Sequence, residues 1–486
     1  MDNIRDKVVK WLKITPAVQS AINITETLTF EGNVMKNLIW YRGDASELEQ
    51  LYQQMSVLYS DYSFWSCRCS KGQEIRKVHT GLPALIVTTL ASVVLADLNG
   101  FDFENQSDNL LWESISTENN VESIVEKSLK DVLVTGDGAF KISFDPDISD
   151  FPIIEFYSAD KVSYNYSRGR LREVIFRTTY NYKNTEYILL ETYGYGYIVY
   201  SLTKDGKEIP VDSIPETAGL NDVCFDDSLM LAVQFKISEN SKFPGRGGSI
   251  LDRKTDSFDS LDEIWSQWLD ALRSGRSKQY IPEDLCPRDA RTGEIMSPNP
   301  FDNRFIAVGR DMHENGRDTI TVEQPEIRSD DYLAAYVTAL DLCLQGLISP
   351  STLGIDTKKL DNAEAQREKE KTTLYSRNAI VKAMQKTLPE LAQITLNAYN
   401  LSVGNSAKNI KCSVTFGEYA NPSFESQVET IGNARAKGIM SVERSVEELY
   451  GDTLTDEQKK QEIQLIKHEQ GITEINEPMA ADDYYV

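Results

Sequence analysis

Positive charge is scarce in this chain of 486 residues: 51 Lys and Arg stand against 75 Asp and Glu, a net charge of −24 at pH 7. A protein that grips free duplex DNA by neutralising phosphates carries the opposite surplus, so a conventional DNA-binding module is excluded. An acidic wall around DNA that must slide is not excluded, because repulsion prevents sticking. Histidine is rarer still. His79, His313 and His468 lie far apart, none beside a carboxylate or cysteine motif, and each is expected to be a surface or ordinary structural residue. Six cysteines are scattered through the chain, and only Cys67 and Cys69 are close, with no second pair at zinc-finger spacing. That pattern excludes a disulfide framework and suits a reducing compartment. No metal or other cofactor is expected.

Long apolar runs are also missing. The most apolar stretch, Leu82 to Leu98, includes Thr88, Thr89 and Ser92 and falls short of the ~20 apolar residues of a membrane span, so it reads as a buried helix. The first residues, Met1-Asp-Asn-Ile-Arg-Asp-Lys7, lack the basic-then-apolar order of a secretory signal. Two glycine- or acid-rich segments mimic ligand loops and fail on inspection. Pro244-Gly-Arg-Gly-Gly248 has no Lys-Ser/Thr completion and is expected to be a hinge, while Asp145-Pro-Asp-Ile-Ser-Asp150 lacks the calcium-loop glycine and closing acid and reads as a capped turn. Without a nucleotide fingerprint or a nucleophile–base pair, the chain reads as non-enzymatic.

What is present supports an α+β fold. The length of 486 residues allows two to four structural units, and a hydrophobic content of 41% allows a substantial core. Ile4, Val8, Trp11 and Leu12 predict a short amphipathic helix, and Leu48, Leu51, Tyr52, Met55 and Leu58 predict a second over Ala45–Tyr59. Leu82–Leu98 and Leu110–Val132 follow as two packed helices. From Ile153 to Lys236 the pattern turns to β-branched and aromatic runs split by Ser167-Arg-Gly169, Asn181–Asn184, Gly194-Tyr-Gly196 and Lys204-Asp-Gly206, which predicts an antiparallel meander. Phe258, Leu261, Ile264, Trp265, Trp268, Leu269 and Leu272 then mark a helix, capped by Asp256 or Ser257. Residues 278–327 are rich in Pro, Gly, Asp and Arg, with short strand candidates at Phe305–Val308 and Thr319–Val322. Later, Pro389 predicts a kink near Lys386, and Ile410–Phe416 is a lone strand that must pair with something distant. Pro422 to Gln470 is helical, broken at Gly438 and Gly451, and the tail to Val486 is acidic.

The organising stretch is Arg328–Asn400. Ser329, Asp330 and Asp331 open a helix whose apolar face carries Leu333, Tyr336, Val337, Leu340, Leu344 and Leu347. Ser349-Pro350 and Leu353-Gly354 stop it, and a loop bearing Lys358 and Lys359 leads past Asp361-Asn362 into Ala363-Glu-Ala-Gln-Arg-Glu-Lys-Glu-Lys371, a charged helix.

That order of parts, with Asn362–Lys371 at its centre, resembles the portal proteins of tailed bacteriophages, in the Gram-positive siphophage branch, over about Lys127 to Gln470. The resemblance implies a wing at 1–250, a first stem helix at 251–277, a clip at 278–327 and a second stem helix at 328–348. It further implies a tunnel loop at 349–362, a long kinked helix and returning wing strand at 363–420, a crown at 421–470 and a tail at 471–486. Stem packing would then fall to Phe258, Leu261, Trp265, Trp268, Leu272, Tyr336, Leu340 and Leu344. Lys358 and Lys359 would touch the phosphates of passing double-stranded DNA without reading sequence. Arg288, Arg291, Arg304, Arg310 and Arg317 would lie on the clip face that docks partners. The implied partners are about eleven further copies in a closed ring, the terminase large subunit, a head-completion adaptor, and the major capsid and scaffolding proteins, with no membrane. The place implied is the portal vertex of the virion, assembled in the host cytoplasm. Other readings stay open: another phage head or neck component such as a minor capsid or adaptor protein, or a β-rich carbohydrate-active enzyme using paired carboxylates.

Overall fold

The computed structural model describes residues 28–55, 63–67, 75–296, 305–308, 321–355, 363–417, 424–450 and 456–469. The chain divides into two compact units, Met1–Phe416 and Gly417–Val486. In the first, α1 (Phe30–Arg42) begins where Thr29 Oγ1 accepts the Gly32 N–H at 3.2 Å and ends at Gly43, whose φ of 74° admits the left-handed stop. Asp44 then caps α2 (Ala45–Met55) by accepting from the Ser46 and Glu47 N–H groups. α3 (Leu82–Leu95) is the buried helix expected from composition, but it stops three residues early because Leu98 begins strand β1 (Leu98–Phe103).

The single helix expected over Leu110–Val132 is two: α4 (Gln106–Asn119) and α5 (Val121–Thr135). The break is at Asn120, which takes φ of 51°. Asn119 reinforces it by donating its side-chain amide to Pro152 O and accepting the Ile154 N–H, which ties the break to the start of the neighbouring strand.

After α5 come β2 (Asp137–Ser143), β3 (Ile153–Ser158), β4 (Val162–Ser167), β5 (Arg170–Tyr182), β6 (Thr185–Gly194), β7 (Tyr197–Lys204), β8 (Lys207–Ile209), β9 (Val223–Cys224) and β10 (Ala232–Lys236). The meander is real over β4–β8, with β9 added to β7. Three of its turns place both central residues at positive φ, Arg168-Gly169, Lys183-Asn184 and Asp205-Gly206, the geometry that matches strand twist. The first strand expected in the meander, Ile153–Tyr157, leaves it. β3 and β10 flank β2 in a separate antiparallel sheet, drawn there because nearly every residue of β2 is buried and both its edges need partners. Lys141 of β2 joins the two sheets by donating to Glu191 of β6 at 2.9 Å; burial opposes its charge, but that carboxylate wins and pushes the ammonium pKa up.

Next are α6 (Thr255–Ser274), β11 (Lys278–Pro282), β12 (Phe305–Val308), β13 (Thr321–Glu323), α7 (Ser329–Leu344), α8 (Ala363–Ser402) and β14 (Cys412–Phe416). β11 is the centre of a three-stranded module, parallel to β12 and antiparallel to β13. The lone strand finds its distant partner: β14 pairs antiparallel with β1, Phe416 opposite Leu98 and Cys412 opposite Phe103. α8 runs as one helix of 40 residues with Pro389 inside it. Ile380, Met384, Leu388, Leu391 and Leu396 on its buried face join the main core, which holds the helix in one piece around the proline.

The second unit comprises α9 (Phe424–Ala436), α10 (Val442–Tyr450) and α11 (Asp456–Glu469). Gly438, at φ of 68°, ends the first, and Ser441 Oγ accepts the Arg444 N–H at the start of the second. Lys459–Glu447 and Lys467–Glu443 ion pairs tie α10 to α11.

Candidate functional site: a paired-helix rod

The rod is built from α6 and α7. Trp265 lies 5.7 Å from Tyr336, and Trp268 stacks on Tyr332 at 6.2 Å with the rings 6° from parallel. Trp265 and Trp268 also meet edge to face at 5.7 Å. Offset and edge-to-face aromatic pairs add roughly 0.5–1.5 kcal/mol each beyond their buried area. Phe258, Leu261, Leu340 and Leu344 are fully buried, whereas Leu272 is 45% exposed. Leu333, expected on the inner face, is 51% exposed, because α7 buries the stripe of Ala339, Leu340, Cys343 and Leu344. Neither helix has the side-chain cap expected for it: α6 starts from Lys254 and α7 from Arg328, while Asp256, Asp330 and Asp331 serve as first-turn acids. At the far end, Gly275 has no room for a Cβ, which would meet Ile327 at 2.4 Å, so the chain entering α7 crosses close over the end of α6.

The adjoining face of α6 carries a buried polar seam. Asp259 accepts the Phe64 N–H at 2.8 Å and the Trp65 N–H at 3.2 Å. Asp262, fully buried, accepts from Trp65 Nε1, Thr80 N and Thr80 Oγ1, and lies 2.7 Å from His79 Nδ1. Ser266 Oγ accepts the Val78 N–H at 3.0 Å. Burial pushes the Asp259 carboxyl up to about 6, against the pull of its two N–H donors. His79 is therefore an inner structural residue with a carboxylate partner 183 positions away, and His468 is exposed. The signal for the seam was in the sequence: Asp259, Asp262 and Ser266 recur at helical spacing beside the apolar stripe.

The glycine-rich loop is a lock and not the expected hinge. Arg246 donates to Val162 O, Ala159 O and Asp137 Oδ1 and lies 3.8 Å above the Phe30 ring, while the Gly247 N–H reaches Asp137 Oδ2 at 2.6 Å. Gly136 and Gly247 cross so closely that a Cβ on Gly247 would meet Gly136 O at 2.1 Å. Burial nevertheless drives the Asp137 carboxyl up to about 6, with Arg246 opposing the shift. Asp145 behaves as foreseen, its carboxylate capping Asp147 N in a turn.

Where α7 ends, the chain is stapled to α8. Thr373 Oγ1 accepts the Ser349 N–H at 2.9 Å and lies 3.0 Å from Thr352 Oγ1. One turn on, Arg377 donates twice to Asp97 Oδ2, at 3.0 and 2.6 Å, fixing α8 to the segment between α3 and β1. Lys358 and Lys359, and the Asp361-Asn362 cap, lie outside the described residues. So do Arg304, Arg310, Arg317 and His313. Arg288 and Arg291 are exposed on the loop after β11, where Arg288 donates to Gly293 O. The two are not brought together with any catalytic constellation, and among the described residues no cluster of three metal-ligating side chains forms. No described helix is long and apolar enough to cross a membrane.

No family model matches the chain, and no curated protein matches it. Among solved structures, it is similar to a chain from the neck of a native GTA particle computed with C12 symmetry, at 13% identity and a TM-score of 0.36, covering 76% of this chain and 89% of that one. A chain from the neck of an empty GTA particle computed with C6 symmetry is similar at 11% identity and a TM-score of 0.36, covering 76% and 90%. At that level of likeness the reading of this chain rests on its own residues.

Proposed function

We propose that this chain is a portal ring subunit, repeated about twelve times, that encloses a channel for double-stranded DNA entering and leaving a phage capsid. The observation that supports it is the rod: two amphipathic helices joined by an aromatic ladder, bracketing a small three-stranded module. Its base is fixed by buried carboxylates, and α7 passes through a stapled turn into a 40-residue helix. In this reading α6 and α7 are the stem, the β11–β13 module is the clip that docks the terminase motor and then the head-completion adaptor, and Lys358 and Lys359 make exchangeable contacts with sliding phosphates. The wing meets capsid and scaffolding proteins, and the helices after Pro422 form the crown. A net charge of −24 suits a channel wall from which DNA must come away. Apolar residues left exposed on the rod, Leu272, Leu333 and Leu342, suit burial between copies around a closed heterologous ring.

Negative-stain images of the purified protein test the ring: annular particles with a central hole are expected, and a uniform small particle across concentrations overturns it. Reversing charge with Lys358→Glu and Lys359→Glu tests the channel. The rings should persist while packaging or DNA retention falls, and normal packaging removes the two lysines from the mechanism.

A further inference from the structure

A second feature stands apart from the rod. Where α1, the 238–242 loop, the Gly248–Lys254 turn and the end of α7 converge, they border an open cleft of about 600 Å³. In a chain so acidic overall, its charged lining is mainly basic: Lys36, Lys242, Arg253 and Lys254 against Glu239 and Asp252. Both acids are already committed. Glu239 is paired with Lys236 at 2.7 Å. Asp252 Oδ1 accepts the side-chain amides of Asn33 and Asn37, each at 2.8 Å, and its Oδ2 accepts Ser249 N at 3.0 Å and the Asn240 amide at 3.4 Å. With its acceptors spent, Asp252 organises the wall and leaves little for a cation to bind.

Two of the donors are in the opposite condition. Among the described residues neither the Lys36 ammonium nor the Arg253 guanidinium has a hydrogen-bond or ion-pair partner, whereas Lys254 donates to Leu342 O at 2.6 Å. Burial holds the Lys36 pKa below its ordinary value, the nearby Asp252 charge works against that shift, and Lys242 adds like-charge repulsion. The positive, side-chain-uncapped end of α6 opens at the same place. Two unpaired cations, a repelling neighbour and a helix start around one cleft form a site with surplus donors and surplus positive potential.

We propose that this cleft binds a phosphate group. A tetrahedral oxyanion has acceptors for the ammonium and the guanidinium at once, relieves the Lys36–Lys242 repulsion, and fits easily in the volume. Its source is either a small free phosphate or a backbone phosphate of nucleic acid, which share this chemistry. Binding raises the Lys36 pKa, so it is coupled to proton uptake and weakens as pH rises towards the lysine range. The site is independent of the ring reading.

The test uses the full-length protein as purified. Inorganic phosphate should raise the unfolding temperature saturably relative to chloride at matched ionic strength, and should protect Lys36 from reductive methylation while leaving the exposed Lys207 reactive. In Lys36→Gln or Arg253→Gln the apparent affinity should drop about tenfold, the loss of one charge-assisted hydrogen bond. A short DNA duplex that competes with phosphate for Lys36 protection identifies the backbone source, and one that does not identifies the small anion. An equal effect from chloride, or unchanged Lys36 methylation, overturns the proposal. So does full phosphate affinity in both variants. The methylation readout decides the matter on unmutated protein even where a variant folds poorly.

Discussion

The two ends of α6 are held by different physics. The first three turns are wired into the body of the molecule: Phe258 and Leu261 are buried, and Asp259, Asp262 and Ser266 satisfy backbone and indole N–H groups from residues 64–80. Towards the other end the aromatic contacts run to α7, through Trp265, Trp268, Tyr332 and Tyr336, and Leu272 is 45% exposed. Buried directional bonds set one orientation, whereas aromatic stacking tolerates sliding by fractions of an ångström. A rod fixed at its base and less constrained at its tip is held in direction by the body of the molecule while its tip keeps room to adjust.

The harshest way to break this contrast is to remove Asp262. The Asp262→Ala variant strands the Trp65 indole N–H, the Thr80 N–H and hydroxyl, and the His79 ring in a fully buried space. The expected cost is about 3–5 kcal/mol, the range for orphaning groups around a buried charge. Urea unfolding should show a large fall in midpoint at constant slope. A loss under about 1 kcal/mol, typical of a surface site, means that the base is not anchored by this carboxylate.

A smaller effect separates the anchor's charge from its shape. Asp259 has a folded pKa of about 6 against an ordinary value of 3.8. The folded state therefore holds the proton more tightly, so stability declines as pH rises from about 4 to 6 and is flat above that. A shift of about two units corresponds to roughly 2–3 kcal/mol across the window. Asp259→Asn keeps an acceptor for one N–H but cannot titrate. Its stability curve should be flatter than that of the parent between pH 4 and 6, with the parent gaining on it as pH falls. Parallel curves would show that Asp259 does not titrate differently on folding. Asp137, also raised to about 6, supplies a background slope that both proteins share.

The tip and the base were unequally legible in the sequence. Helical spacing from Phe258 to Leu272 was enough to find α6, and the turn signals found every hairpin of β4–β8, because local periodicity and turn chemistry decide those elements. Partnerships across hundreds of residues were not legible: nothing local joins Asp262 to His79, Arg377 to Asp97, or Arg246 to Asp137. The glycine-rich loop shows why. Its composition signals freedom, yet Gly247 is needed for a crossing of two backbones at close range, which only the assembled fold reveals. The same blindness placed β3 in the meander, since a strand's pattern says which face is buried but not which sheet it joins. For Leu333 the periodicity admitted two adjacent stripes on α7, and packing of α6 chose the one through Ala339 and Cys343.

The gentlest substitution asks most directly what the tip is for. Leu272 and Leu333 are 45% and 51% exposed, so Leu272→Ser with Leu333→Ser removes little buried area within one subunit. The change in protomer stability should stay within about 0.5 kcal/mol, as for surface sites generally. In a ring whose copies meet along the rod, the same two leucines are covered once per interface. Each fully buried leucine contributes about 1.5–3 kcal/mol, and the loss is repeated at every interface of the closed assembly. If the proposed ring closes along the rod, sedimentation velocity should show the double variant as smaller species at concentrations where the parent forms rings, with unfolding midpoints nearly equal. Intact rings would place the interface elsewhere and leave the loose tip unexplained by neighbours, whereas a collapse in protomer stability would mean that the leucines belong to the anchored half after all.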